Sequence, residues 1–183
     1  MKATAIILAG GKSARMHYKD KAWINYKGSP LITHVIKRLV PQVTRTLISR
    51  NNYDPRYETL PYPCIADLNT YKEGPLAGIL ACSYHVETPL TLVVPCDTPN
   101  LPLDLFKRLS LDLDHYDVSI PTCADGEQPL MMLAKTPVLS EIDGNLKEGK
   151  RSVKDWLSKM NVQKVQFSSS SNFENINYPS QIR

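Results

Sequence analysis

No apolar stretch in these 183 residues approaches the roughly 20 needed for a helix to cross a bilayer, so no membrane-spanning role is expected. Cysteine is scarce and scattered. Cys64, Cys82, Cys96 and Cys123 form no C-x-x-C pair and have no histidine at ligand spacing, which argues against a zinc site and against a disulfide framework. A reducing, cytoplasmic setting is the expectation. A strong excess of one charge is also missing: the formal net charge is +4, too mild for a nucleic-acid surface, so neither nucleic acid nor membrane is an expected partner. Internal repeats and linker-like stretches are absent too. With 42% hydrophobic and 22% charged content, the chain fits one domain, residues 1–183, with a substantial core.

The charge that is present gathers early, with Lys12, Arg15, Lys19 and Lys21 in one short span, which points to a local anion site. The apolar run Ala3 to Ala9 after Lys2 is short for a secretion signal and meets Gly-Gly-Lys rather than a small-residue cleavage site, so it reads as a strand. Short β-branched or apolar runs then alternate with segments of helical period, the pattern of α/β units around a mostly parallel sheet. Strands are expected at 3–8, 44–49, 64–66, 90–94, 118–121, 130–134 and 162–167. Helices are expected at 31–39, from 75 toward Pro89 with Leu76, Ile79, Leu80 and Tyr84 on one face, and at 103–109, 138–146 and 152–160. The segment 51–63 reads as irregular and the serine run at 168–171 as a surface loop.

Gly11-Lys12-Ser13 looks at first like a nucleotide phosphate loop. A Walker loop needs a glycine five residues before Gly11, and Ile6 stands there; the dinucleotide spacing G-x-G-x-x-G fails as well. What remains is a strand ending in Gly10 and Gly11, where backbone comes close to a ligand and Lys12, Arg15 and Lys21 can neutralise phosphate. The same residues also read as a basic surface turn. A second signal is Asp97 at the end of the apolar strand 90–94, where open α/β sheets gather ligands. One carboxylate there suits Mg²⁺ shared with substrate phosphates, or simply caps the Asp97-Thr98-Pro99 turn.

Taken together, Leu8-Ala9-Gly10-Gly11-Lys12-Ser13-Ala14-Arg15-Met16 with Asp20-Lys21, Gly74-Pro75-Leu76-Ala77-Gly78, Pro95-Cys96-Asp97-Thr98-Pro99 and Asn175-Ile176-Asn177-Tyr178-Pro179 resemble the molybdenum cofactor guanylyltransferases. The resemblance implies a three-layer Rossmann-like nucleotidyltransferase fold that transfers GMP from GTP to the terminal phosphate of molybdopterin, with Mg²⁺ as cofactor. It implies that Leu8, Ala9, Gly10 and Gly11 bind the nucleotide with Lys21, Asp67 and Asp97, that Asp97 ligates the metal, and that Arg15, Lys21 and Asp97 serve catalysis. Acceptor-side candidates are Gly78, Arg151 and Asn177; Arg151 precedes a helix start and Asn177 begins Asn-Tyr-Pro, so capping and turn formation are their ordinary alternatives. A monomer in transient contact with molybdenum-insertion proteins and molybdoenzymes is expected. Departures are His17 where the family has glycine, Gln128-Pro129, and Ser49 where some members place a ligand-contacting Asn; Asn51 or Asn52 could take over that contact, or it is missing. The rival readings are a nucleotidyltransferase using CTP or a sugar phosphate, and a GTP-binding protein without turnover.

Overall fold

The computed structural model of the chain describes residues 1–10, 20–67 and 74–177. In chain order these form β1 (Ala3–Leu8), a small hairpin of β2 (Asn25–Tyr26) and β3 (Ser29–Pro30), α1 (Leu31–Leu39), β4 (Arg45–Arg50), β5 (Cys64–Ala66), α2 (Pro75–Ser83) and β6 (Leu90–Pro95). There follow α3 (Leu105–Leu109), β7 (Val118–Cys123), β8 (Gly126–Glu127), β9 (Met132–Lys135), α4 (Glu141–Lys147), α5 (Val153–Leu157) and β10 (Val162–Gln166). The sheet order is β10-β7-β9-β6-β1-β4-β5, with β8 paired to β7. β1 runs parallel to β4 and β6, β4 to β5, and β7 to β10, while β9 lies antiparallel between β6 and β7. The mostly parallel sheet expected from the sequence is present. No helix among the described residues is long and apolar enough to cross a membrane.

Strand alternation divides the core into two layers. Ala3, Ala5 and Ile7 of β1 and Leu92 and Val94 of β6 pack with Ile32, Val35 and Leu39 of α1 and Leu105 and Leu109 of α3. Ile6, Leu8 and Val93 face the other way, toward α2, Ile142 and Leu146 of α4, and Val153, Trp156 and Leu157 of α5. Helix α1 has no side-chain cap at Pro30. Burial of Leu31, Ile32, Val35 and Leu39, about 1.5–3 kcal/mol each, outweighs the ~1 kcal/mol that a cap adds.

Several expected elements differ in extent or kind. α2 is buried from Leu76 through Cys82 on every side, because it lies between the sheet and α4; Tyr84, expected on its core face, caps the helix end and is 65% exposed. The expected helix at 103–109 starts at Leu105, since Leu103 projects into solvent. The expected 138–146 helix is a 3-10 turn, Thr136–Ser140, followed by α4, and the one at 152–160 ends at Leu157. The irregular segment contains a 3-10 turn, Pro55–Thr59, that buries Tyr57. The serine run leads into another, Ser170–Phe173, which packs Phe173 edge-on against Phe167, with ring centroids 5.1 Å apart. The β2–β3 hairpin is too short to show a period in sequence. Its turn uses positive φ at Lys27 and Gly28, and Asn25 Oδ1 accepts from the Gly28 N–H at 3.0 Å.

Candidate functional site

Strand register brings the sequence-predicted carboxylates and glycine to one edge. Leu8 pairs with Ser49 of β4 on one side and with Pro95 of β6 on the other. The pairing continues as Ala9 N–H donates to Ser49 O at 2.9 Å and Cys96 N–H to Leu8 O at 3.1 Å. Gly10, Asn51 and Asp97 each stand two residues beyond that level on neighbouring strands. Asp67 follows β5, its N–H donating to Arg50 O at 3.1 Å. From β1 the chain runs to β4 and β5 on one side, then returns through α2 to β6 on the other, the switch in direction where such sheets hold ligands.

Lys21 reaches this edge from a 3-10 turn, Lys21–Trp23, whose cap is Asp20. Asp20 Oδ1 accepts from the Ala22 N–H at 3.0 Å and Oδ2 from the Tyr57 hydroxyl at 2.8 Å. Burial raises the Asp20 carboxyl above its ordinary range, against the lowering effect of those two hydrogen bonds. Burial and the Asp20 charge push the Tyr57 phenol far up, so it stays a donor. Trp23 packs edge-on against Tyr57 at 5.2 Å between centroids and carries the Arg56 guanidinium over its ring at 5.0 Å. The turn is thereby fixed to the 51–63 segment, with Trp23 packed against Tyr57 and Arg56.

From that turn the Lys21 ammonium pairs with Asp97 Oδ2 and donates to Asn177 Oδ1 at 2.5 Å. Only 15% of the Lys21 side chain and 16% of the Asp97 side chain are exposed, so this ion pair is shielded rather than a surface contact. Asn177 is brought in by a C-terminal segment that crosses the end of β6. Ile176 N–H donates to Asp97 O at 2.9 Å, Thr98 Oγ1 donates to Asn175 Oδ1 at 2.8 Å, and Ile176 is buried with Ile24, Tyr26 and Leu31. The sequence left Asn177 between a site and a turn; the fold puts it on Lys21.

The second carboxylate is held differently. Ser49 Oγ donates to Asp67 Oδ1 at 2.9 Å. Gly78 of α2 lies against this pair: a Cβ there would come 2.2 Å from Ser49 Oγ and 3.0 Å from Asp67 Oδ1. Gly78, an acceptor-side candidate by sequence, thus sits beneath the nucleotide-side candidate Asp67. Arg151 is exposed ahead of α5, where Ser152 is the cap, and no contact among the described residues joins it to Lys21, Asp97 or Asn177. Gly11, Lys12, Arg15 and His17, with Tyr178 and Pro179, lie outside the described residues.

A divalent ion is tested by its donors. No group of three or more His, Cys, Asp or Glu that could enclose a metal occurs among the described residues. Asp97 Oδ1, however, is buried without a hydrogen-bond partner there, while its other oxygen meets Lys21. A carboxylate oxygen that no described residue satisfies is the donor type of an ion that takes its remaining ligands from phosphates and water, so the residue fits Mg²⁺.

Residues 5–165 match the MobA-like NTP transferase domain. The chain belongs to that family. As a MobA-like NTP transferase it is a nucleotidyltransferase. It is 36% identical over 180 residues to the molybdenum cofactor guanylyltransferase of Shewanella halifaxensis (strain HAW-EB4), covering 97% of this chain and 90% of that one. In fold it is similar to the molybdopterin-guanine dinucleotide biosynthesis protein A of Archaeoglobus fulgidus, with a TM-score of 0.81, 21% identity, and coverage of 98% and 94% of the two chains. A CMP:2-keto-3-deoxy-manno-octonic acid synthetase complexed with CTP is also similar in fold, with a TM-score of 0.80, 14% identity, and coverage of 98% and 95%.

What sequence reasoning missed is the support around the site. Asp20 as the cap that aims Lys21, Tyr57 as its donor, and Thr98 as the anchor of Asn175 all join residues distant in the chain. The Asp20-Lys21 pair carried a local signal, an aspartate directly before a short turn; the partner Tyr57 carried none.

Proposed function

We propose that this MobA-like transferase moves GMP from GTP to the terminal phosphate of molybdopterin. A phosphate oxygen of molybdopterin attacks the α-phosphorus of GTP, the bond from that phosphorus to the β-phosphate bridge breaks, and pyrophosphate leaves with the electron pair. The observation that carries the reading is the shielded Lys21–Asp97–Asn177 cluster at the switch point, with the other Asp97 oxygen buried and unpartnered among the described residues. The name of the Shewanella relative at 36% identity supports the same reading.

Phosphoryl transfer of this kind depends on positioning and charge rather than on covalent help from the protein. Lys21 offers its ammonium to the phosphates, and Asn177 and Asp97 hold that ammonium in place. Gly10 gives the nucleotide a floor without a side chain. Asp97 Oδ1 is the oxygen we assign to Mg²⁺, whose charge, when bound, lowers the repulsion between the two phosphates. Asp67, fixed by Ser49, is the second nucleotide-side carboxylate. Arg15 and Gly11 keep the roles the resemblance gives them, and Asn177 is shared between Lys21 and the acceptor side. The four free thiols, three of them buried, suit a cytoplasmic setting.

Incubation with molybdopterin, GTP and Mg²⁺, followed by mass analysis, tests the proposal. The expected product is molybdopterin guanine dinucleotide with one pyrophosphate released per turnover. A dinucleotide formed from CTP in preference, or GTP binding with no pyrophosphate, would replace this function with one of its rivals.

A further inference from the structure

We infer that the Lys21 ammonium guards Asp97 against a metal ion on its own, so that the divalent ion enters only with or after the nucleotide. The inference rests on the GTP and Mg²⁺ reading above and specifies its substrate as the metal–nucleotide pair. It starts from the two oxygens of one carboxylate. Oδ2 is capped by the Lys21 ammonium, and Oδ1 is buried with no hydrogen-bond partner among the described residues. In that arrangement neither oxygen is open to an approaching ion.

The backbone leaves the aspartate little freedom. Cys96 N–H donates to Leu8 O at 3.1 Å, the Asp97 carbonyl accepts from Ile176 N–H at 2.9 Å, and Thr98 is fully buried with its hydroxyl on Asn175. Opening therefore falls to the lysine. The Asp20 cap pins its main chain, but a long flexible stem separates that chain from the charge. Asn177 Oδ1, accepting from the same ammonium at 2.5 Å, is a second anchor on which it can turn.

What opens the pair must compete for the ammonium. A divalent cation does not, because it repels Lys21 and has to separate a shielded ion pair before it binds. A triphosphate does: it brings several negative charges to an ammonium that Asp97 matches with one. Once the ammonium has turned to phosphate, the Asp97 carboxylate is uncovered, and an ion carried on that same triphosphate meets it. The exchange couples the two ligands, each tightening the other.

Mn²⁺, a carboxylate-seeking ion whose free form is counted by electron paramagnetic resonance, tests the exchange without turnover. The deciding arm contains no nucleotide. Lys21→Met should bind Mn²⁺ alone about tenfold or more tighter than wild type, the scale of one such coupling, and Lys21→Met with Asp97→Asn should lose the gain. Lys21→Met should also melt lower than wild type, with Mn²⁺ alone restoring part of the loss. Lys21→Gln, which removes the charge but keeps a donor for Asp97, is the second variant and should show the same gain should the methionine variant fail to fold. The wild type should be stabilised against heat by GTP with Mn²⁺ and not by Mn²⁺ alone. Equal Mn²⁺ affinity in the wild type and the uncharged variants overturns the inference, as does a wild type that Mn²⁺ alone stabilises as much as Mn²⁺ with GTP. A merely structural ion pair would lower the melting temperature of the variants and leave their metal affinity unchanged. Gained metal affinity in the uncharged variants, beside a wild type that GTP with Mn²⁺ does not stabilise, leaves Lys21 as the guard of Asp97 and overturns the GTP reading instead.

Discussion

Removing the ammonium of Lys21 strands the Asp97 carboxylate in a shielded place, so Lys21→Ala should lose stability as well as rate. Asp97→Asn is the cleaner probe, because it keeps shape and a hydrogen-bond partner for Lys21. It should fold normally and lose on the order of 10²-fold or more in turnover, the usual cost of one charge-stabilising group. Turnover measured across a Mg²⁺ titration checks this, and near-normal rates would remove Asp97 from the chemistry. Asp20 makes a prediction about pH. Its folded-state pKa is raised, so the folded form favours the protonated carboxyl. That contribution is fully present below the unfolded carboxylate value and is lost as pH rises through the raised folded value. Asp20→Asn should therefore remove a fall in stability through the carboxylate range, gaining on wild type as pH rises. Urea unfolding at a series of pH values from 3.5 to 7 reads it, and parallel curves for the two proteins would refute the burial argument.

At the scale of elements, two backbone approaches govern the site. α2 comes close to the ends of β4 and β5 only because residue 78 lacks a side chain. Gly78→Ala forces Ser49 and Asp67 aside; overpacking of this kind costs about 1–3 kcal/mol. GTP affinity should fall along with stability, and calorimetry beside nucleotide titration measures both. A variant that loses stability with full affinity would separate Asp67 from the nucleotide. The C-terminal segment is the second approach, seated by Ile176 in a small cluster with Ile24, Tyr26 and Leu31. Ile176→Ala should cost about 2–5 kcal/mol and release Asn177 from Lys21, lowering turnover. Asn177→Ala should lower turnover with a smaller effect on stability, and a comparison of the two melting temperatures with their rates tests the order.

Over the whole molecule, the two apolar layers share one sheet, and each layer carries a tryptophan. Trp23 packs on the layer with α1 and α3, while Trp156 is fully buried in the layer with α2, α4 and α5. Trp156→Phe and Trp23→Phe leave one fluorescent probe on each side. Once each variant's own stability change is subtracted, urea transitions reported by the two probes should coincide with the circular-dichroism transition, as one cooperative unit requires; separated midpoints would divide the chain into two units. The sequence alone determined the elements whose cause is local. β1, β5 and α1 lie where the apolar runs, helical period and proline stops put them, and the motifs at the glycine strand end and Asp97, through the resemblance they carry, pointed to a nucleotide. Only the tertiary structure decided the rest, because those features are pairings between distant residues. The all-round burial of α2 comes from being covered on two sides, which no amphipathic pattern announces. Lys21 meets Asp97 and Asn177 across separations of 76 and 156 residues. Ser49, noted in the sequence only as standing where some family members have a ligand-contacting Asn, proves to hold Asp67, since the strand register and a helix without a side chain at residue 78 bring them together.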